Sequence, residues 1–338
     1  MNASVFVATT GKGIARASRD RNDGWTVESS LADQDVRCLA VSPFNRDVVY
    51  AGTQGKGLLC SYDQGQTWRS SGLAGQVVKS ITPSPVEPDV LYAGTKPPAL
   101  FVSRDGGAGW TELESFRQMR RRFWYTPAEP GDPYIQGIAL SPTDPLVIIA
   151  GVEYGAVLRS ADGGKTWQGH LKGAIRDCHS LIFHPNNGNW VYEGGGGWAA
   201  AVSRDGGNTW RQPRKGLGWR TYGWACAADP QRPEVWYVSA APLISFPNIL
   251  AFPVAHWDGK ANAHIFRSTG GAPWKKLNGG LPQPLSYMAY ALLTDPEATG
   301  HLYAGLSNGA VWFSADYGDR WQQLPFNLGS IARSLIMI

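Results

Sequence analysis

Glu153, Asp177, His179 and Glu193 form the part of this sequence with the clearest capacity for chemistry. Two carboxyls facing each other across a cleft can serve as general acid and general base in cleaving a glycosidic bond, if one is buried enough to hold its proton near neutrality. The same carboxylates with His179 could instead surround a cation and support metal-assisted hydrolysis. None of the six histidines has zinc spacing, so neither a metal nor another cofactor is assigned. Each carboxyl also admits a plainer reading, as an ion-pair partner or an exposed loop charge. Further polar and aromatic candidates for contacting a ligand are Asp35, Arg37, Arg176, Arg220, Tyr222, Tyr154, Trp198, Trp124, His256, Trp257 and Arg333. Trp124, Trp198, Trp219, Tyr222, Trp224 and Trp257 offer flat faces on which sugar rings could stack, although most tryptophans here are expected to be packing residues.

These residues are held by a repeat. The phrase Ser-x-Asp-x-Gly-x-Thr-Trp is clearest at Ser61 to Trp68, Ser160 to Trp167 and Ser203 to Trp210, and looser at Ser18 to Trp25, Ser103 to Trp110 and Ser314 to Trp321. A seventh copy, Ser268 to Trp274, is one residue short and has Gly270 in place of the Asp. Ahead of each phrase stand a turn residue and a β-branched or aromatic run. The steps Ser42 to Ser61, Ser84 to Ser103, Ser141 to Ser160, His184 to Ser203 and Asp295 to Ser314 are all 19 residues. Such periodicity predicts repeated four-stranded units, with strands A to D and the phrase as the C–D turn. In that turn the Asp accepts backbone N–H bonds, the Gly takes a positive φ, and the Trp packs between neighbouring sheets.

The chain begins directly at a B-type strand, Val5 to Thr9, and ends in an A-type strand within Ile331 to Ile338. Pairing of the two would complete the first unit, giving an all-β, seven-bladed propeller of four-stranded antiparallel blades in one domain, 1–338. Two units depart from the regular spacing. One expands its D–A connection over about 114–133, and the other inserts about 243–262 between strands B and C, where Asp229 to Ser268 is 39 residues. Both insertions are expected on the face opposite the C–D turns, where long loops on a rigid scaffold build sites. The B–C loops are expected to carry Glu153, Tyr154, Glu193 and Trp198 to the same mouth. Gly194 to Gly197 lack a following Lys-Ser/Thr and open no helix, so they are read as giving close backbone approach to a ligand or a neighbouring loop and not as a phosphate loop.

The repeated phrase resembles the Asp-box, or BNR repeat, and the whole chain is similar to the Asp-box β-propellers of the sialidase-like and glycoside-hydrolase-like group. That resemblance implies a propeller acting on a carbohydrate or related small molecule at an axial pocket. It also implies the alternative of a non-catalytic binding or assembly scaffold, like the propellers that chaperone photosystem assembly. Sialidases use an early Arg-Ile-Pro segment, which does not occur here, so no catalytic role carries over and a classical sialidase is not expected. The large xyloglucan-cleaving relatives use two tandem propellers, where this chain supplies one.

Composition narrows the partners. A net charge of +4 is too small to name a nucleic acid and supports only a modest preference for anionic ligands. Arg117 to Arg122, interleaved with aromatics, could dock an acidic protein partner. No apolar run is long enough to cross a membrane. Met1 to Ser4 leads straight into a strand without the regions of a signal peptide, so a cytoplasmic location is expected, or a secreted one if a leader has been removed. The four cysteines lack metal spacing and are read as small buried hydrophobes.

Overall fold

The computed structural model describes residues 5–20, 22, 24–119, 124, 131–244 and 252–338. Seven antiparallel sheets form a ring, with one further two-residue ladder in the second insertion. Blade 2 contains Val36–Val41, Val49–Thr53, Leu58–Ser61 and Arg69–Ser70 as strands A to D, close to the pattern read from sequence. The inner strands of blades 3 to 7 are Val77–Pro83, Ile135–Leu140, Asp177–His184, Tyr222–Ala228 and Ala289–Thr294. In blades 4 and 5 the outermost strand shrinks to single bridges, Arg159 to Gln168 and Val202 to Arg211.

Closure is by strand pairing. Leu335–Met337 lies antiparallel to Val5–Thr9, with Phe6 opposite Met337 and Ala8 opposite Leu335. Ala332 and Ile338 extend the pairing by donating to Thr9 and Val5 at 2.8 and 2.9 Å. The Val5–Thr9 strand is therefore paired on both sides and leaves no edge of its own.

The constant 19-residue step has a hydrogen-bond cause. Within one blade the N–H of the C–D turn donates to the carbonyl of the A–B turn: Gln64 to Asp47, Gly106 to Asp89, Gly163 to Leu146, Gly206 to Asn189 and Tyr317 to Gly300, all at 2.9 Å. In blade 6 the same bond runs from Gly270 to Glu234 at 3.0 Å, so the insertion there leaves this end of the blade unchanged. The C–D turns that carry the Asp are also braced internally. In blade 4 the Ser160 hydroxyl donates to Asp162 at 2.8 Å and accepts from the Gly164 N–H at 2.8 Å, while the Thr166 N–H and hydroxyl both donate to Asp162. The tryptophans then join blades, as when Trp110 Nε1 donates to Ser71 of the preceding blade at 2.8 Å and Trp274 Nε1 to Pro213 at 2.8 Å.

A second regularity lies at the other end of the inner strands. In six blades the A–B ladder skips one or two residues of strand A: Arg37, Lys79, Gln136, His179, Trp224 with Ala225, and Tyr290. A bulge of this kind breaks the in–out alternation and re-aims a side chain. In blade 1 the backbone N–H groups of Arg333 and Ser334 both donate to the Thr9 hydroxyl, just ahead of the paired segment.

The first insertion begins with one helical turn, Glu114–Arg117, whose Phe116 is buried. The second carries the ladder Leu243–Ile244 with Phe252–Pro253 and a 3-10 turn, Val254–His256. Arg120, Arg121 and Arg122 lie outside the described residues. All four cysteines are free, and Cys60, Cys178 and Cys226 are buried. Among the described residues no helix is long and apolar enough to cross a membrane.

Hydrogen bonds to the turn carboxylates make acid sensitivity predictable. Thr166 and Ser160 hold Asp162 at about 2. Asp63, where partial burial pulls upward, is still held at about 2 by Ser61 and Thr67. An unfolded Asp titrates near ~3.9, so this stabilisation is complete above about pH 4 and is lost as pH falls through about 2. Thermal melts should show the parent losing stability between pH 4 and 2 more steeply than Asp162→Asn. Equal slopes would remove the turn carboxylate as the cause.

Candidate active site at the axial mouth

The bulged positions recur at one register of the inner strands, and the chemistry they carry changes from one side of the ring to the other. On the blade 1–2 side, Asp35 is shared by two guanidinium groups, Arg37 Nη2 at 2.6 Å and Arg333 Nη1 at 3.1 Å. Blade 3 contributes the buried Lys79, whose Nζ sits 3.9 Å from the centre of the Tyr134 ring. On the opposite side, Trp224 packs between His179 and Tyr290, with ring centres 4.6 and 5.0 Å away.

Between these sides lies the cluster of Glu153, Asp177 and His179, which can each offer a ligand atom within 4.8 Å of the others. Glu153 stands on the B–C turn of blade 4, where its N–H donates to Tyr134 at 3.0 Å. Asp177 opens strand A of blade 5, and His179 follows at the bulge. All three are buried, with relative exposures of 5%, 8% and 4%. His179 Nδ1 is 2.7 Å from the Gly223 carbonyl, which can only accept, so Nδ1 carries a hydrogen and Nε2 is left facing Asp177 Oδ1 at 3.3 Å. Glu153 Oε2 has no hydrogen-bond partner despite its burial, while Asp177 Oδ1 and His179 Nε2 meet each other as an ion pair without a hydrogen bond.

Electrostatics follow from that crowding. Burial pushes Glu153 upward, against the opposing pull of His179 and the Tyr134 hydroxyl. His179 is lifted to about 9, because Asp177 and Glu153 outweigh the burial that acts in the other direction. His256, from the second insertion, bridges the Tyr222 and Tyr290 hydroxyls at 2.9 and 2.7 Å. Crowding and the neighbouring His179 push His256 down to about 4, although part of the residue stays solvent-exposed.

The structure does not bring all the sequence candidates together. Glu193 is not in a B–C loop: the Asn187–Gly196 strand continues through it. Its Oε2 accepts from the Ile175 N–H at 2.8 Å, and burial raises it to about 8, so it stands apart from the three clustered groups. Arg176 is exposed and donates to Gly155 at 2.9 Å, beside Trp124, which packs on Phe116 with ring centres 6.2 Å apart. Arg220 reaches Asn262 of the second insertion, with Nη2 at 3.2 Å from its Oδ1. Trp198 carries Arg214 3.9 Å above its ring, and Trp257 is 49% exposed. Tyr154, at φ 51°, lies close enough for Asp177 and Glu153 to help burial raise it to about 12.

Tyr134, Gln136 and Tyr290 were missed as candidates, and Trp224 was valued only as a flat face. Their signal was nevertheless present. Counting back five residues from the turn positions 42, 84, 141, 184, 229 and 295 gives Arg37, Lys79, Gln136, His179, Trp224 and Tyr290.

The glycine run also has a specific cause. A Cβ on Gly196 would lie 1.8 Å from Asp177 Oδ2, and one on Gly195 would lie 2.3 Å from the Asp177 carbonyl. These glycines admit the carboxylate and its strand, not a ligand backbone.

Comparison with known proteins agrees with this architecture. No protein-family profile matches the chain. A xyloglucanase of Paenibacillus sp is 26% identical over 227 residues, which is 56% of this chain and 20% of the relative. The chain thus spans about a fifth of that curated protein. Among solved structures, an ancestral GH74 enzyme superposes with a TM-score of 0.65 at 19% identity, covering 95% of this chain and 40% of its own. The GH74 xyloglucanase from Xanthomonas campestris gives 0.57 at 19% identity, covering 86% and 45%. YCF48 bound to D1 peptide gives 0.53 at 18% identity, covering 85% and 81%. The chain is therefore a seven-bladed β-propeller similar in fold to both groups.

Gly196→Ala should displace Asp177 and cost about 1–3 kcal/mol, the usual range for overpacking. Gly169→Ala, whose Cβ would meet nothing within 4 Å, is the neutral control. Chemical denaturation of both variants checks this, and equal stability of the two would show that Asp177 does not depend on the glycine.

Proposed function

We propose that this protein is a glycoside-hydrolase-like propeller acting on a carbohydrate or related small molecule at the axial mouth. We read its Ser–Asp turns as the Asp-boxes of the sialidase-like group, and 1–338 as a single propeller domain. The observation that carries the reading is the pair of buried carboxyls, Glu153 and Asp177, left without hydrogen-bond partners at Oε2 and Oδ1 beside an aromatic wall of Tyr222, Trp224 and Tyr290. Glu153, on which burial favours the proton, is the general acid. Asp177, oriented beside His179, is its partner. Their facing oxygens lie within 4.8 Å, nearer the ~5–5.5 Å carboxyl spacing of retaining enzymes than the ~6.5–9.5 Å that lets an inverting enzyme seat a water, so retention of anomeric configuration is expected. A sialidase-type carboxylate pocket is not supported, because Arg37 and Arg333 share Asp35 while Arg176 and Arg220 bond elsewhere.

A second reading, a binding scaffold, is favoured by one observation: the matched YCF48 structures are covered over 81% and 87% of their lengths, against 40% and 45% for the GH74 enzymes. Of the basic segment proposed to dock an acidic partner, Arg117 is already engaged with Glu112 and Glu114 at 3.5 and 3.6 Å.

A panel of oligosaccharides assayed for released reducing ends separates the readings. On a substrate the parent cleaves, Glu153→Gln and Asp177→Asn should each lower kcat by about 10²-fold or more, while Glu193→Gln should leave it within about threefold. Full turnover by both cluster variants, or binding of an acidic peptide with no glycan cleavage by the parent, would overturn the hydrolase reading.

A further inference from the structure

The same three side chains raise a question that a sugar does not answer, namely what occupies the space between their unpartnered atoms when no substrate is present. Two carboxylates and an imidazole converge with their ligand atoms within 4.8 Å of one another. His179 Nδ1 is spent on the Gly223 carbonyl at 2.7 Å, an arrangement that metal-ligating histidines use to fix ring orientation and leave the other nitrogen free. That other nitrogen, Nε2, meets Asp177 Oδ1 at ion-pair distance, 3.3 Å, without forming a hydrogen bond, and Glu153 Oε2 is buried without a hydrogen-bond partner. The contact needs a positive charge, which a proton on Nε2 supplies in the metal-free cluster and the cation supplies once bound.

We propose that Glu153, Asp177 and His179 bind a divalent transition-metal cation, with Zn²⁺ and Mn²⁺ as the best matches. Two neighbouring ligands around an ion with bonds of ~2.1 Å lie about 3.0–3.4 Å apart, which matches the His179–Asp177 pair. The remaining distances, each within 4.8 Å, exceed that spacing, so Glu153 would swing inward by roughly 1–2 Å at most to complete the set. The donor set selects against the hard cations: imidazole suits zinc and other transition metals, while calcium and magnesium prefer oxygen alone. Outer contacts support the ligands as well. The Tyr134 hydroxyl bonds Glu153, Gly223 holds His179, and Gly196 leaves room for Asp177. The Lys79 ammonium, 3.9 Å from the centre of the Tyr134 ring, offsets part of the local negative charge. Three protein ligands leave coordination positions open for water or for substrate oxygens.

Glu153 ligates a cation as a carboxylate and serves as general acid only when protonated, so the loaded and metal-free clusters are separate states of one site, and this test does not use turnover. Full-length protein stripped with EDTA and dialysed is titrated with ZnCl₂ or MnCl₂ by isothermal calorimetry, with CaCl₂ as comparison. One ion per chain should bind, with Ca²⁺ at least tenfold weaker. His179→Gln and Asp177→Asn should weaken binding by about 100-fold or more, and the rise in melting temperature that metal gives the parent should vanish in both. Circular dichroism establishes that the variants are folded. If either fails to fold, the parent titration still decides. Absence of stoichiometric binding to folded parent protein, or binding that survives both substitutions, overturns the proposal. Failure here leaves the glycan assay standing, and failure of the glycan assay leaves this titration standing.

Discussion

The axis of the ring is organised by one constraint, the bulge that six of the seven inner strands carry ahead of their A–B turns. A regular strand in a propeller alternates between the two packing faces that neighbouring blades cover, so it has no direction left for a side chain that must reach the axis. The bulge supplies that direction. Because it recurs at the same offset in six blades, it turns the repeat into a collar with one chemically chosen residue per blade: Arg37, Lys79, Gln136, His179, Trp224 and Tyr290. The scaffold sets the positions, and residue choice sets the chemistry.

That choice is uneven around the ring. Guanidinium and ammonium groups dominate blades 1 to 3, carboxylates and an imidazole blades 4 and 5, and aromatic faces blades 6 and 7. The basic side is largely satisfied, since Asp35 takes two arginines. The acidic side is not. An unsatisfied buried polar atom costs about 1–3 kcal/mol, so Glu153 Oε2 alone forfeits an appreciable part of a net stability of about 5–15 kcal/mol. Structural ion pairs do not require such a loss, whereas sites that receive a ligand do.

Much of this was legible in the sequence because the repeat is a hydrogen-bond device with fixed spacing. The Asp162 turn, its bond to the A–B turn and the C-terminal closing strand all follow from residue types at constant offsets. The candidate site was legible in part. Glu153, Asp177 and His179 were named because they fall at loop and strand starts on one end of the blades, and the structure places them together. Glu193 was misplaced because four glycines read as a loop, although the absence of Cβ atoms there lets the strand run on and admits Asp177. Tyr134, Gln136 and Tyr290 escaped because alternation along a strand gives no warning of a bulge. Only comparison between blades does.

The central claim is that the acidic side of the collar is kept for a ligand and not for the fold. Its most direct test is the equilibrium stability of Glu153→Gln at neutral pH with a chelator present, measured by denaturant unfolding alongside the parent. Removing a carboxylate that burial disfavours should leave the protein as stable as the parent or more so. A loss of more than about 2 kcal/mol, on the scale of breaking a needed buried interaction, would show that Glu153 holds the propeller together and would contradict the account.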